Sequence, residues 1–220
     1  MGFNRVQSQF IPLKSKSTIN AKFRHNGRFS IKAYKLTDFC SVLFYTLRNL
    51  ISRRNKMKIY YSALVAGTDR YYLGSTERGL AFVGTPNADL TEIYEFYPAA
   101  TLVQDEVVNQ AAKYQITEYL QGSRRQFDLP LDMENGTGLQ RLVWEALVKI
   151  PWGTTLSYSA LAQRIKRPGA VRAVATAVAR NPLLIVVPCH RVVLKNGQVG
   201  QYRGGIAMKY RLLKLEGAIG

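Results

Sequence analysis

The chain has 220 residues and a hydrophobic fraction of 47%, enough for one large domain or two small ones around a real core. No run of about 18 or more apolar residues occurs, which leaves no candidate for a membrane-spanning helix. Two distant cysteines, Cys40 and Cys189, support neither a disulfide framework nor a structural zinc site and point to a reducing, cytoplasmic setting.

A net charge of +17 suggests a polyanionic partner, and the charge is unevenly placed. Residues 1–56 hold 12 Lys/Arg against the single acid Asp38, a net of +11, leaving +6 for Met57–Gly220. This basic extension shows neither a helical period nor clean alternation. It reads as a disordered or weakly helical DNA-binding arm, as a targeting segment, or as a mis-called start upstream of Met57. The last is preferred, because strand-like order begins abruptly just after Met57. Cys40 is given no role.

From Met57 the texture changes. "KIYYSALVAG", "RYYLGSTERGLAFVGT" and "IYEFYPAATLV" read as short strands of an antiparallel sheet, and residues 105–123 carry the apolar stripe of a helix stopped by Gly122. A loop with Pro130 and Gly136 divides a sheet-and-helix domain, 57–130, from a mostly helical one, 131–220. The second half offers helices over 137–150, 157–165 with Ser157 as N-cap, 170–180, and 207–217. The middle pair, joined by "KRPG", outlines a helix-turn-helix. "LLIVV" (183–187) reads as a buried strand, and "KNGQ" (195–198) as a hairpin turn. Trp144 and Trp152 read as core or domain contacts.

One stretch carries chemistry. "VVPCHRVV" (186–193) sets Cys189 beside His190, one of two histidines in the chain. A cysteine attacks only as the thiolate, so a nucleophilic one needs a base or a positive field nearby. Neighbours on a strand point to opposite faces, so pairing these two needs a bend, which Pro188 makes plausible. A small buried residue is otherwise the commoner fate of cysteine. The spacing alone leaves both readings open.

The wider sequence resembles one family. "RNPLLIVVPCHRVV", "GQYRGGIAMKYRLLKLEG", "PWGTTLSYSALAQRI" and "AVRAVATAVARNP" are similar, in order and spacing, to the 6-O-alkylguanine-DNA alkyltransferases, the methylated-DNA–protein-cysteine methyltransferases. The Pro-Cys-His-Arg-Val signature is among the more specific short motifs for a single family. The resemblance is strong over residues 136–217 and weaker back to Met57, and residues 1–56 match nothing in it. It implies an α/β (α+β) fold: a small ribonuclease H-like sheet-plus-helix domain, then a winged helix-turn-helix-like domain that binds DNA and holds the reactive cysteine.

The same resemblance implies roles. Cys189 matches the alkyl acceptor, His190 the base acting through a water, and Glu216 the carboxylate that orients it. Asn181 matches the hinge asparagine. Tyr158 matches the tyrosine that rotates the target phosphate and bonds the flipped base. Arg172 matches the arginine that enters the duplex, with Ala173 beside it on the DNA side. Val192, Tyr202, Arg203 and Gly204 match the substrate pocket, Gly204 hinting at room for larger alkyl groups. The implied reaction is a single-use transfer of an alkyl group from O6-alkylguanine, and less efficiently O4-alkylthymine, to Cys189 in double-stranded DNA. A monomer without cofactor, metal, membrane or obligate protein partner is expected.

Leu139 departs from the family's usual Phe, a core exchange. No Cys/His set matches the zinc ligands of some members' N-terminal domains. The rival reading is a non-catalytic helix-turn-helix sensor of alkylated DNA, whose relatives lack the cysteine that Cys189 supplies. A Cys-His hydrolase is the weaker third, since no oxyanion loop is evident.

Overall fold

The computed structural model describes residues 18–25, 28–35 and 57–220, and the chain falls into two units, Met1–Lys56 and Met57–Gly220. In the first, β1 (Thr18–His25) pairs antiparallel with β2 (Arg28–Lys35), Thr18 opposite Lys35 and His25 opposite Arg28. No strand was expected here, although Asn26-Gly27 is the dipeptide that favours two-residue hairpin connections. Cys40 lies outside the described residues.

The second unit opens with β3 (Lys58–Ala66), β4 (Asp69–Thr76) and β5 (Gly79–Val83), an antiparallel meander. After a short α1 (Ile93–Phe96), β6 (Thr101–Gln104) completes the sheet in the order β5-β4-β3-β6. Two expectations are corrected here. β6 runs parallel to β3, with Lys58 opposite Thr101 and Tyr61 opposite Gln104, so the sheet is mixed. The "IYEF" segment is helical, following a 3-10 turn over Leu90–Glu92 that Asp89 caps by accepting from Thr91 N at 2.9 Å. The signal was in the sequence: Asp89 with Glu92 three residues on is the pattern of a helix start.

α2 (Gln110–Leu120) packs on this sheet through Ala112, Ile116 and Tyr119. The loop after it is tied to the sheet edge, Leu80 N donating to Pro130 O and Asp132 N to Leu80 O, each at 2.8 Å. α3 (Gly138–Val148) starts at a full capping box, Thr137 with Gln140, and buries Val143, Trp144, Ala146 and Leu147. Trp144 is core, its Nε1 donating to Ala177 O at 2.9 Å.

β7 (Leu156–Ser157) leads into α4 (Tyr158–Arg164), which Ser157 caps by accepting from Ala160 N at 3.1 Å. α5 (Val171–Ala179) follows a tight turn in which Arg167 N returns to Ala162 O at 2.8 Å. Its Ala/Val composition sets Val174, Ala177 and Val178 against the core and leaves Arg172 and Ala173 exposed. β8 (Val192–Val193) pairs with β7, and α6 (Ile206–Leu215) closes the chain. One apolar core joins Leu64, Tyr71 and Ile116 from the sheet half to Trp144, Leu183 and Leu212 from the helical half.

Residues 183–187 are buried as read, but they do not form a strand. Leu183 alone bridges to Val83; the chain then coils on itself, Val187 N donating to Leu183 O at 3.0 Å and Val186 N to Leu184 O at 2.8 Å. The β-branched run reports burial, while a side chain, Asn181, dictates the path.

Candidate active site

Asn181 follows the end of α5 and is 1% exposed. Its Nδ2 donates to Leu183 O at 3.2 Å, Val187 O at 2.9 Å and Cys189 Sγ at 3.0 Å, while its Oδ1 accepts from Leu183 N at 2.9 Å. A single amide thereby closes the loop from the helix-turn-helix to the thiol. The loop is strained at Ile185, a β-branched residue at φ +70°, a conformation costing on the order of 1–3 kcal/mol that only over-determined surroundings hold.

Pro188 bends the chain into a 3-10 turn over Cys189–Arg191, the bend that the pairing requires. Cys189 is 3% exposed. Burial pushes its thiol up, against the Asn181 hydrogen bond and the charges of Arg203 and Lys209, which pull it down.

His190 is wholly buried, and its Nε2 lies 2.9 Å from Glu216 Oε1 while Nδ1 has no hydrogen-bond partner. Burial lowers the imidazole pKa below its ordinary value, with Glu216 opposing and Arg191 and Lys209 adding to the fall. Glu216 sits at the C-terminal cap of α6, where a carboxylate is unfavourable on its own. Burial would raise its carboxyl too, but hydrogen bonds from His190, Arg191 and Tyr119 hold it at about 2.

Three partners of that carboxylate, two side chains and one backbone N–H, were not expected from the sequence. The Arg191 guanidinium grips it through Nε (3.0 Å to Oε2) and a terminal nitrogen (2.8 Å to Oε1) and also bonds Ile150 O. Tyr119 on α2 donates its hydroxyl to Oε1. Gly153, at φ +73°, offers its N–H at 3.3 Å to Oε2, and a Cβ there would stand 2.9 Å from Glu216 O. Arg191 lies inside the Pro-Cys-His-Arg signature and was readable as more than a neighbour. Tyr119 was hidden in the apolar stripe of its helix.

A buried cation was also missed. Lys209 is 0% exposed, its Nζ donating to Val192 O at 2.6 Å, and burial lowers its pKa to about 8.

The remaining expected residues fall in three places. Tyr158, the first residue of α4, is half-buried on the core that holds Cys189, and burial and the thiol raise its phenol. Tyr202 stands edge-on to His190, ring centroids 6.3 Å apart. Val192 is buried, and its carbonyl accepts from Lys209 Nζ. Arg172 and Ala173 lie exposed on α5.

Arg203 and Gly204 were expected at the pocket through backbone groups or lining. The Arg203 side chain turns to the sheet half, meeting Glu92 Oε1 at 2.5 Å, Asn181 O at 3.0 Å and Val83 O at 2.8 Å, with its guanidinium over Phe96. Its five donors suit that fork of acceptors, and it staples β5 to the reactive loop. At Gly204 a Cβ would sit 2.4 Å from Met208 Sδ and 2.8 Å from the Tyr202 ring, so the close approach of those side chains suits glycine.

Among the described residues, no group of three or more His, Cys, Asp or Glu is gathered to hold a metal ion, and no helix is long and apolar enough to cross a membrane.

Residues 138–218 match the family model described as 6-O-methylguanine DNA methyltransferase, DNA binding domain. The chain is 45% identical over 166 residues to the inducible methylated-DNA–protein-cysteine methyltransferase of Bacillus subtilis, covering 74% of this chain and 92% of that one. The chain belongs to the methylated-DNA–protein-cysteine methyltransferase family. It is also 33% identical over 203 residues to the bifunctional transcriptional activator/DNA repair enzyme Ada of Escherichia coli, covering 91% of this chain and 55% of that protein. This match is longer than Met57–Gly220 and so reaches into the basic extension. Among solved structures, Mycobacterium tuberculosis OGT in complex with DNA is similar at a TM-score of 0.64 and 34% identity, over 72% of this chain and 92% of that one.

Proposed function

We propose that this family member repairs alkylated DNA by moving the alkyl group of O6-alkylguanine, and less efficiently of O4-alkylthymine, onto its own Cys189. The observation that carries the reading is the buried cluster in which Asn181 holds Sγ and Glu216 holds His190 with Nδ1 unpartnered. Because the thiol is buried, an alkyl group inside a base stack reaches it only after the nucleotide is flipped out, at a cost of about a few kcal/mol. Arg172 would enter the duplex and offset that loss, with Ala173 allowing close approach; the exposure of both on α5 supports this.

The thiol proton passes to His190 Nδ1 through a water, following the logic of a triad in which Glu216 stabilises the imidazolium. Sulfur then forms a bond to the alkyl carbon as the carbon–O6 bond breaks, in line. The guanine leaves with the electron pair and takes up the proton. Tyr158 donates to the base as negative charge develops on it. Tyr202 walls the alkyl site. The product is a thioether with no carbonyl for water to attack, so each molecule works once. The reading extends to a monomer in a reducing cytoplasm, where a lone thiol survives unoxidised.

Titration of a duplex carrying O6-methylguanine tests this. Lesion loss is expected to stop at one equivalent of protein and to vanish in Cys189→Ser. Tight binding without lesion loss would instead make the protein a sensor, and continued turnover would make it a different enzyme.

A further inference from the structure

The triad carboxylate is held from both halves of the second unit. Tyr119, on α2 of the sheet half, is fully buried between Phe127 and Trp152, each ring centroid 5.1 Å from its own. Its hydroxyl oxygen meets two atoms of the site: it donates to Glu216 Oε1 and lies 3.2 Å from His190 Nε2.

A phenol has one proton to give. With that proton committed to Glu216, the oxygen presents a lone pair to Nε2. Glu216 Oε1, 2.9 Å from the same nitrogen, presents another. Both neighbours of Nε2 are therefore acceptors, and both require its proton to be there. Burial and the Glu216 charge raise the phenol well above its ordinary range, against the pull of Arg191, so the donor stays protonated. Without the hydroxyl, Nε2 would keep only the carboxylate, whose charge is already shared with Arg191.

We infer that Tyr119 is a positioning residue of the transfer reaction, holding His190 in the Nε2–H tautomer through Glu216 so that Nδ1 is free to take the thiol proton. The inference rests on His190 being the base of the proposed reaction. It gives the sheet half a part in the chemistry, through one hydroxyl that is 71 residues from His190 in sequence.

The chain has two histidines, so side-chain 15N spectra of the DNA-free protein resolve His190 directly. In the wild type, the proton is expected on Nε2. Tyr119→Phe keeps the ring and removes the hydroxyl, and is expected to mix in the Nδ1–H form. Its single-turnover rate on O6-methylguanine duplex should fall several-fold with DNA affinity unchanged. An imidazole that stays wholly in the Nε2–H form, or a wild-type rate, overturns the inference. Should that variant not fold, uniform 3-fluorotyrosine keeps the shape and sharpens the donor. The His190 Nε2 resonance is then expected to move, and one that stays put overturns the inference. A wild type that leaves O6-methylguanine untouched would defeat the proposed reaction, while the 15N spectrum would still decide the role of Tyr119.

Discussion

Asn181 Nδ2 donates to Cys189 Sγ across eight residues at 3.0 Å, and the same nitrogen holds the carbonyls of Leu183 and Val187. Removing the side chain leaves the buried Leu183 N–H without its acceptor, at a cost of about 1–3 kcal/mol. Asn181→Ala is expected to lower the melting temperature and slow transfer at least tenfold, roughly 1.4 kcal/mol in barrier. Thermal melts and single-turnover kinetics check this; an unchanged melt would show that the loop is held otherwise.

Stability in acid should report Glu216. Its carboxyl is depressed from the ordinary 4.5 to about 2. Between those values the unfolded chain binds the proton and the folded one does not, so stability rises with pH across the window. The contribution is full above pH 4.5 and is lost as pH falls towards 2. Glu216→Gln is expected to flatten this limb in urea titrations at graded pH, and a limb of wild-type steepness would count against the assignment.

The thiol should be quiet at neutral pH in the free protein. Burial raises it above its ordinary 9.0, and the Asn181 hydrogen bond is the first of the influences pulling it back. Alkylation by iodoacetamide is expected to rise only in alkaline solution, and Asn181→Ala, which removes that hydrogen bond, should move the midpoint higher. A midpoint that stays or falls would show that Asn181 does not act on the sulfur.

Much of this site was legible in the residues, and the failures share a cause. Asn181 meets Cys189 and His190 meets Glu216, because a bend and a hinge amide are local devices that leave marks in sequence. The "LLIVV" strand was misread because β-branched residues report burial, whereas Asn181 takes the Leu183 and Val187 carbonyls that a strand would need. Tyr119 and the side-chain contacts of Arg203 were missed for a different reason. Their partners, Glu216 and Glu92, lie 97 and 111 residues away in the chain, beyond any pattern of spacing.

Arg172 is exposed on α5, so Arg172→Ala should leave stability within about 0.5 kcal/mol. DNA affinity is expected to fall roughly tenfold, about 1.4 kcal/mol, for undamaged and methylated duplex alike. Fluorescence anisotropy against salt checks this, and unchanged affinity would place the duplex on another face.

The central claim is that Cys189 is the alkyl acceptor and is spent. The peptide containing Cys189, from protein incubated with an O6-methylguanine duplex and then digested, is expected to gain the mass of one methyl group in place of the thiol hydrogen, stable to hydroxylamine. An unmodified Cys189 peptide after the lesion has disappeared would contradict the account.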